Sequence, residues 1–167
     1  MNATPRIYAA CLASYNNGIL HGAWIDADQD SEDILQNIAE MLERSPITGA
    51  EEWAVHDYEG LPTSLGEYPD LDLVAEVAQG IEEHGDAFRA YVELVGAEFA
   101  TVEDFQDNYI GEYQSQAELA ENLLTDSGEF AQVPERLQWF IDFDAYGRDL
   151  IAGGSVCREG NHWFYNT

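Results

Sequence analysis

Residues 52–58, Glu52-Trp53-Ala54-Val55-His56-Asp57-Tyr58, alternate in character as a half-buried strand does, and their reading decides the fold class. Gly60 and Pro62 close the unit behind them, and Pro46 and Gly49 break the pattern in front. Upstream, a helix is predicted over roughly residues 32–44, because Ile34, Leu35, Ile38, Met41 and Leu42 recur at the helical period. Asp30 or Ser31 stands at its N-cap, and Glu32, Asp33, Glu40 and Glu43 are left largely to the solvent face. Earlier still, Arg6 to Leu12 is β-prone, Asn16-Asn17-Gly18 is a turn signal, and a second strand is expected around Leu20 to Ile25. The first third therefore reads strand, strand, helix, strand.

Downstream the pattern turns helical. Pro69 suits a helix start, and Leu71, Val74, Ala75, Ala78 and Ile81 make one apolar stripe. Gly85-Asp86 opens a further helix carrying Phe88, Tyr91, Val92 and Val95, which Gly96 ends, and Thr101 to Asp104 resembles another capping signal. Ser115-Gln116-Ala117-Glu118 is a capping box leading a helix to about Thr125. Pro134 begins a predicted helix through Phe140, and Asp142 caps one running to about Ile151. From Gly153 to Asn166 a hairpin is expected, with strands at Val156-Cys157 and His162 to Tyr165 and a turn over Arg158 to Asn161. No internal repeat or low-complexity tract interrupts this order. The class is α+β, and the length fits one domain or two to three small subdomains.

Charge limits what such a fold can bind. The 167 residues hold 33 Asp and Glu against six arginines and no lysine, for a formal charge of −27. It is spread evenly: net −10 over residues 1–67, −8 over 68–103 and −9 over 104–167. Affinity for phosphate needs clustered Lys and Arg, so an ordinary nucleic-acid binder and a polybasic membrane-surface protein are both excluded. Hydrophobic residues at 46% and aromatics at 12% separate this chain from disordered acidic tails. No apolar run approaches the roughly 18 residues of a membrane span, and the first fifteen residues do not read as a signal peptide. Cys11 and Cys157 are not at metal-ligand spacing and read as reduced thiols of a cytoplasmic protein.

The local motifs that suggest chemistry fail on inspection. Asp26-Ala27-Asp28-Gln29-Asp30 resembles the start of a calcium loop, which needs Gly at position six and Glu at position twelve. Those positions hold Ser31 and Asn37, and shifting the register by two gives Asp33 and Ala39. His56-Asp57 and Glu51-Glu52 are pairs that an acid-rich chain produces by chance. The four histidines lack H-E-x-x-H spacing, and neither G-x-S-x-G nor a phosphate-binding loop is present. No catalytic residue, metal ligand or cofactor is assigned. Phe105, Tyr109, Gly111 and Tyr113 could line an interface, though composition favours a core role.

Two functions survive these tests. In the first, the carboxylates imitate duplex phosphates and occupy the DNA groove of a target enzyme. Acids over residues 70–83 fall about every 4 Å along some 21 Å of helix, comparable with a phosphate about every 3.4 Å along one DNA strand. Twenty-seven charges match roughly 46 Å of duplex, about 13 base pairs. The second function is a generic acidic or halophilic cytosolic protein whose charge only maintains solvation. The aromatic content argues mildly against pure salt adaptation.

Glu51-Glu52-Trp53-Ala54-Val55-His56-Asp57-Tyr58-Glu59-Gly60 resembles a segment of the ArdA antirestriction proteins. So do Pro5-Arg6-Ile7-Tyr8, Gly22-Ala23-Trp24-Ile25-Asp26 and Phe105-Gln106-Asp107-Asn108-Tyr109-Ile110-Gly111-Glu112-Tyr113, and length, acidity and motif order agree from end to end. The resemblance implies a DNA-mimicking homodimer carried by mobile genetic elements such as plasmids and conjugative transposons. It implies binding to the specificity and methyltransferase core of type I restriction–modification enzymes, blocking cleavage and often methylation. It also implies an elongated chain of three small subdomains, 1–62 (sheet plus helix), 63–103 (helical) and 104–167 (mixed), with dimerisation through the C-terminal region, which raises Phe105, Tyr109 and Tyr113 to interface candidates. No catalytic site comes with the resemblance. The expected acidic surface comprises Asp26, Asp28, Asp30, Glu32 and Asp33, then Asp70, Asp72, Glu76, Glu82, Glu83 and Asp86, then Glu112, Glu118, Glu121 and Asp126.

Overall fold

A computed structural model describes residues 4–166. The chain divides into two compact units, residues 1–102 and 103–167. Both are mixed α+β, as the alternation of periods requires.

In the first unit, β1 (Arg6–Cys11) is the centre of an antiparallel sheet, flanked by β2 (Gly22–Asp26) and β3 (Trp53–Glu59). Between β1 and β2 lies a short helix, α1 (Leu12–Asn16), where the sequence reading has the end of a strand and a loop. Its N-cap is Cys11, whose Sγ accepts from the Ser14 N–H at 3.4 Å. Asn17 and Gly18 end this helix rather than joining two strands directly. Opposite Tyr8 and Ala9 the β3 register skips His56, so that residue is an extra one in a bulge. Helix α2 (Ser31–Glu43) buries Ile34, Ile38 and Met41, and Ile7, Ala9, Ile25 and Val55 are buried on the strands. Helices α3 (Leu71–His84) and α4 (Asp86–Val95) follow a 3-10 turn at Thr63–Leu65. Gly80 lets them close up, because a Cβ there would lie 2.3 Å from the buried Phe88 ring.

In the second unit, α5 (Val102–Asn108) runs straight into β4 (Tyr109–Glu112). This strand joins β5 (Val156–Glu159) and β6 (His162–Tyr165) in the order β4-β6-β5. The predicted hairpin is present, but its loop is only Gly160-Asn161. Arg158 and Glu159 pair with Trp163 and His162 as part of β5. The predicted helix over 134–140 is only a single turn, α8 (Glu135–Gln138), and a further turn that the sequence reading lacks, α7 (Glu129–Gln132), precedes it. Helices α6 (Gln116–Asp126) and α9 (Phe143–Ala152) pack together and have side-chain N-caps, from Ser115 and Asp142. The capping box is offset by one residue: Glu118 accepts from the Gln114 N–H at 2.8 Å, not from Ser115.

Gly147 of α9 sits against the backbone of Gln116, where an added Cβ would be 2.4 Å from the carbonyl oxygen. Backbone cannot swing aside as a side chain can. Gly147→Ala gains about 1 kcal/mol of helix propensity but forces the helices apart, at a cost of about 1–3 kcal/mol or more. We expect a net fall in stability, read as an earlier urea midpoint by circular dichroism. A midpoint at or above that of the parent would show that the contact yields freely.

Candidate functional site

The acids lie outside both cores. None of the 33 carboxylate side chains among the described residues is buried, and only Glu40 and Glu59 are half-buried. Those two are partners of Arg44 and Arg6. All fifteen sequence-predicted acids are exposed.

Within the first unit, the fold gathers some of them around a groove. Asp30, Ser31 and Glu32 from the start of α2 face Asp72, Ala75, Glu76 and Gln79 of α3 across it. The Ser31 hydroxyl donates to the Asp72 carboxylate and ties the two helix starts together. Asp70 caps α3 by accepting from the Asp72 N–H at 2.9 Å. Asp30 occupies the N-cap of α2 without a side-chain hydrogen bond to the helix, so its carboxylate stays turned to solvent. Glu32 and Asp33 in the first turn of α2, and Asp72 in that of α3, are positions the helix dipole favours for negative charge.

Helical geometry refines the spacing along α3. At about 100° per residue, Asp72, Glu76 and Glu83 fall within about 40° of one another, and Glu82 points about 80–120° away from them. On that shared face the axial separations are about 6 Å and 10 Å, wider than the mean spacing of all acids in the stretch. Phosphate-like density therefore requires the α2 carboxylates across the groove as well as those of α3.

The remaining candidates are more scattered. Asp26 ends β2 and Asp28 lies in the loop after it, where Gln29 Nε2 donates to the Asp26 carbonyl at 2.6 Å. Among the described residues, no His, Cys, Asp and Glu cluster is arranged to hold a metal. Asp86 is neutralised locally by Arg89 at 2.6 Å, and Glu83 lies 3.8 Å from His84. In the second unit, Glu118 is engaged by Gln114, while Glu112, Glu121 and Asp126 are exposed on β4 and α6.

His56 and Asp57 are exposed in a cleft with Tyr15, Tyr58, Thr63 and Glu67. His56 meets the Tyr15 ring edge-on at 5.0 Å, and Asp57 accepts from the Tyr58 N–H at 2.8 Å. The neighbouring Tyr58 phenol is pushed up to about 12 by burial and donates to the Gly66 carbonyl. Cys11 is buried; burial raises its thiol, but hydrogen bonds from Ser14 and Ser45 outweigh this and lower it.

Phe105 is buried within its own unit, stacked on Tyr109 at 5.1 Å and tilted against Phe164. Tyr109 is half-buried with its hydroxyl 3.0 Å from His162 Nδ1, and the Tyr113 hydroxyl donates to Asn122 Oδ1 at 2.8 Å. Phe105 is covered by its own unit, while Tyr109 and Tyr113 keep part of their surface exposed. The large exposed apolar side chains of the second unit include Leu137, Trp139 and Phe140, which the sequence reading absorbed into a helix.

Fold and surface together define a mixed α+β protein whose distinguishing chemistry is a solvent-facing array of carboxylates. The antirestriction protein (ArdA) family model matches residues 7–162, and the chain belongs to that family. No curated protein matches the chain. Among the described residues, no helix is long and apolar enough to cross a membrane.

Proposed function

We propose that this protein inhibits type I restriction–modification enzymes by DNA mimicry, filling the DNA groove of their specificity and methyltransferase core. The observation that carries this reading is the arrangement of Asp30 and Glu32 across a groove from Asp72 and Glu76, in a family of antirestriction proteins. Two rows of carboxylates on rigid helix starts can meet the same basic side chains that grip the two phosphate strands of a duplex. Binding releases counterions from the enzyme's groove, as DNA does, so affinity falls steeply with salt. The protein acts as a homodimer, doubling the length of imitated duplex. Its place is on mobile elements such as plasmids and conjugative transposons, where escape from host cleavage is useful. The helical stretch 63–103 acts as a subdomain of its own, following 1–62 and preceding 104–167 along the chain.

The test is displacement. A purified type I enzyme is loaded with labelled duplex and titrated with this protein over a salt series. Release of the duplex, with affinity for the enzyme weakening as salt rises, is the expected result. Binding that leaves the duplex in place would falsify mimicry, and no binding at any salt favours a generic acidic protein.

A further inference from the structure

Tyr68 and Phe99 are among the most exposed aromatic side chains of the first unit, at 68% and 71%. Both line one cleft of about 360 Å³, between the loop that leads into α3 and the turn that follows α4. The partly buried Leu65, Pro69 and Leu73 give the cleft an apolar lining, to which Asp70 and Glu98 add two exposed carboxylates. Among the described residues, no basic side chain lines it.

Local structure fixes the backbone on both sides. Pro69 restricts Tyr68 to extended conformations, and Asp70 caps α3 directly after it. On the other side Gly96, at φ 92°, ends α4. Its carbonyl accepts from the Phe99 and Ala100 N–H groups, each at 3.1 Å. Rings carried on a fixed backbone lose less entropy when they are covered.

The chemistry of the lining selects the occupant. Aromatic faces attract a cation through the ring quadrupole, and the carboxylates add their charge to that attraction. Guanidinium is planar, stacks on a ring and can bond a carboxylate through two N–H groups, which a lysine ammonium does not match. The apolar lining suits the methylene stem of an arginine. With both rings mostly exposed, the cleft is too open to bury a free small cation as ligand pockets do. The arginine therefore arrives on a protein that other contacts hold. The acidic groove provides them: Asp70 lines the cleft, and Asp72, two residues on, lines the groove.

We propose that the cleft between Tyr68 and Phe99 takes an arginine side chain of the enzyme whose basic residues meet the α2–α3 groove. The proposal rests on the mimicry proposed above and extends it from phosphates to bases. Arginines that grip nucleic acid stack on base faces as well as pairing with phosphate. Carboxylates copy only the phosphate contact, and the two rings supply a face to stack on.

The displacement assay with a type I enzyme, labelled duplex and a salt series tests this when run on variants. Tyr68→Ala with Phe99→Ala should weaken binding roughly 10- to 100-fold. The slope of log affinity against log salt should stay parental, because no charge is removed. Circular dichroism should not change, since both side chains are exposed. Tyr68→Leu with Phe99→Leu keeps apolar surface without a ring face and should lose nearly as much. Parental affinity in the alanine variant overturns the cleft, while release of duplex by the parent protein leaves mimicry standing. Parental affinity in the leucine variant alone makes the contact merely apolar and overturns the arginine. A loss accompanied by a smaller sedimenting species gives the rings to a second copy of this chain and overturns the proposal. A parent protein that binds the enzyme at no salt overturns mimicry and the cleft together.

Discussion

Trp163→Ala is expected to unfold most of the second unit while leaving the first intact. The Trp163 ring is fully buried and packs with Leu119 and Val156, with Ile110, Tyr113, Leu123 and Leu150 around them. Its indole N–H donates to the Tyr113 carbonyl at 3.0 Å, tying the β6 strand to the residue that follows β4. Truncation to alanine costs about 3–5 kcal/mol through the cavity and lost burial. The carbonyl loses its partner as well, about 1 kcal/mol more. A unit of 65 residues has roughly 3–10 kcal/mol in total, so one side chain removes much or all of its stability.

Amide hydrogen exchange resolved along the chain measures this directly. Protection should collapse across residues 103–166 and persist over β1, α2 and α3. Trp163→Phe keeps an aromatic filler but not the donor, and should lie between the two. Parental protection in Trp163→Ala would mean that the sheet does not depend on this ring. The same variant bears on function, because Glu112, Glu118, Glu121 and Asp126 are held by this unit. Whatever inhibition survives its unfolding belongs to the acids of the first.

What could be read from sequence follows from where the structural information lies. Helices α2, α3, α4 and α6 have an apolar stripe in sequence, and α3 and α6 also have side-chain caps at Asp70 and Ser115, so local residues specify them. Strand β4 does not. Tyr109-Ile110-Gly111-Glu112 has no turn before it and no clean alternation, and it is a strand because β6 pairs with it from fifty residues away. Helix α1 hides behind an unusual cap, a cysteine thiol, and an apolar run that continues the strand before it. Arg158 and Glu159 look like turn residues, but a strand at a sheet edge can face solvent.

The acidic surface divides the same way. That no acid is buried was readable, since an unpaired charge is too costly to bury, but the partial burial of Glu40 and Glu59 beside Arg44 and Arg6 was not. The i to i+3 pairing of Asp86 with Arg89 was equally local. The Ser31–Asp72 link was not, because it joins helix starts forty-one residues apart. Nor was the exposure of Trp139 and Phe140 readable, since composition favours burying such rings.

Neutralising Asp30, Glu32, Asp72 and Glu76 together is expected to remove most inhibition without harming the fold. The substitutions are Asp30→Asn, Glu32→Gln, Asp72→Asn and Glu76→Gln. They are nearly isosteric, and the amide oxygen that Asp72→Asn retains can still accept from the Ser31 hydroxyl. All four carboxylates are exposed, and lowering the net charge from −27 to −23 reduces self-repulsion. Stability should change little, because relief of self-repulsion offsets the helix-dipole contribution lost at Glu32 and Asp72. If each charge contributes about 0.2–1 kcal/mol of exposed pairing, four contribute about 1–4 kcal/mol. That is roughly a five- to several-hundred-fold loss of affinity for the enzyme. Single substitutions should each stay within about fivefold. The slope of log affinity against log salt should flatten by about 3–4, since each neutralised site releases one counterion fewer. The control carries the same change in charge elsewhere in the first unit, with Glu43, Glu51, Glu52 and Glu67 each changed to glutamine; these four are also exposed. If the control loses as much as the groove variant, net charge alone drives inhibition and the groove has no special part. A large loss confined to the groove variant, at unchanged stability, means that position matters beyond number: carboxylates fixed on two helix starts meet the enzyme where phosphates otherwise would.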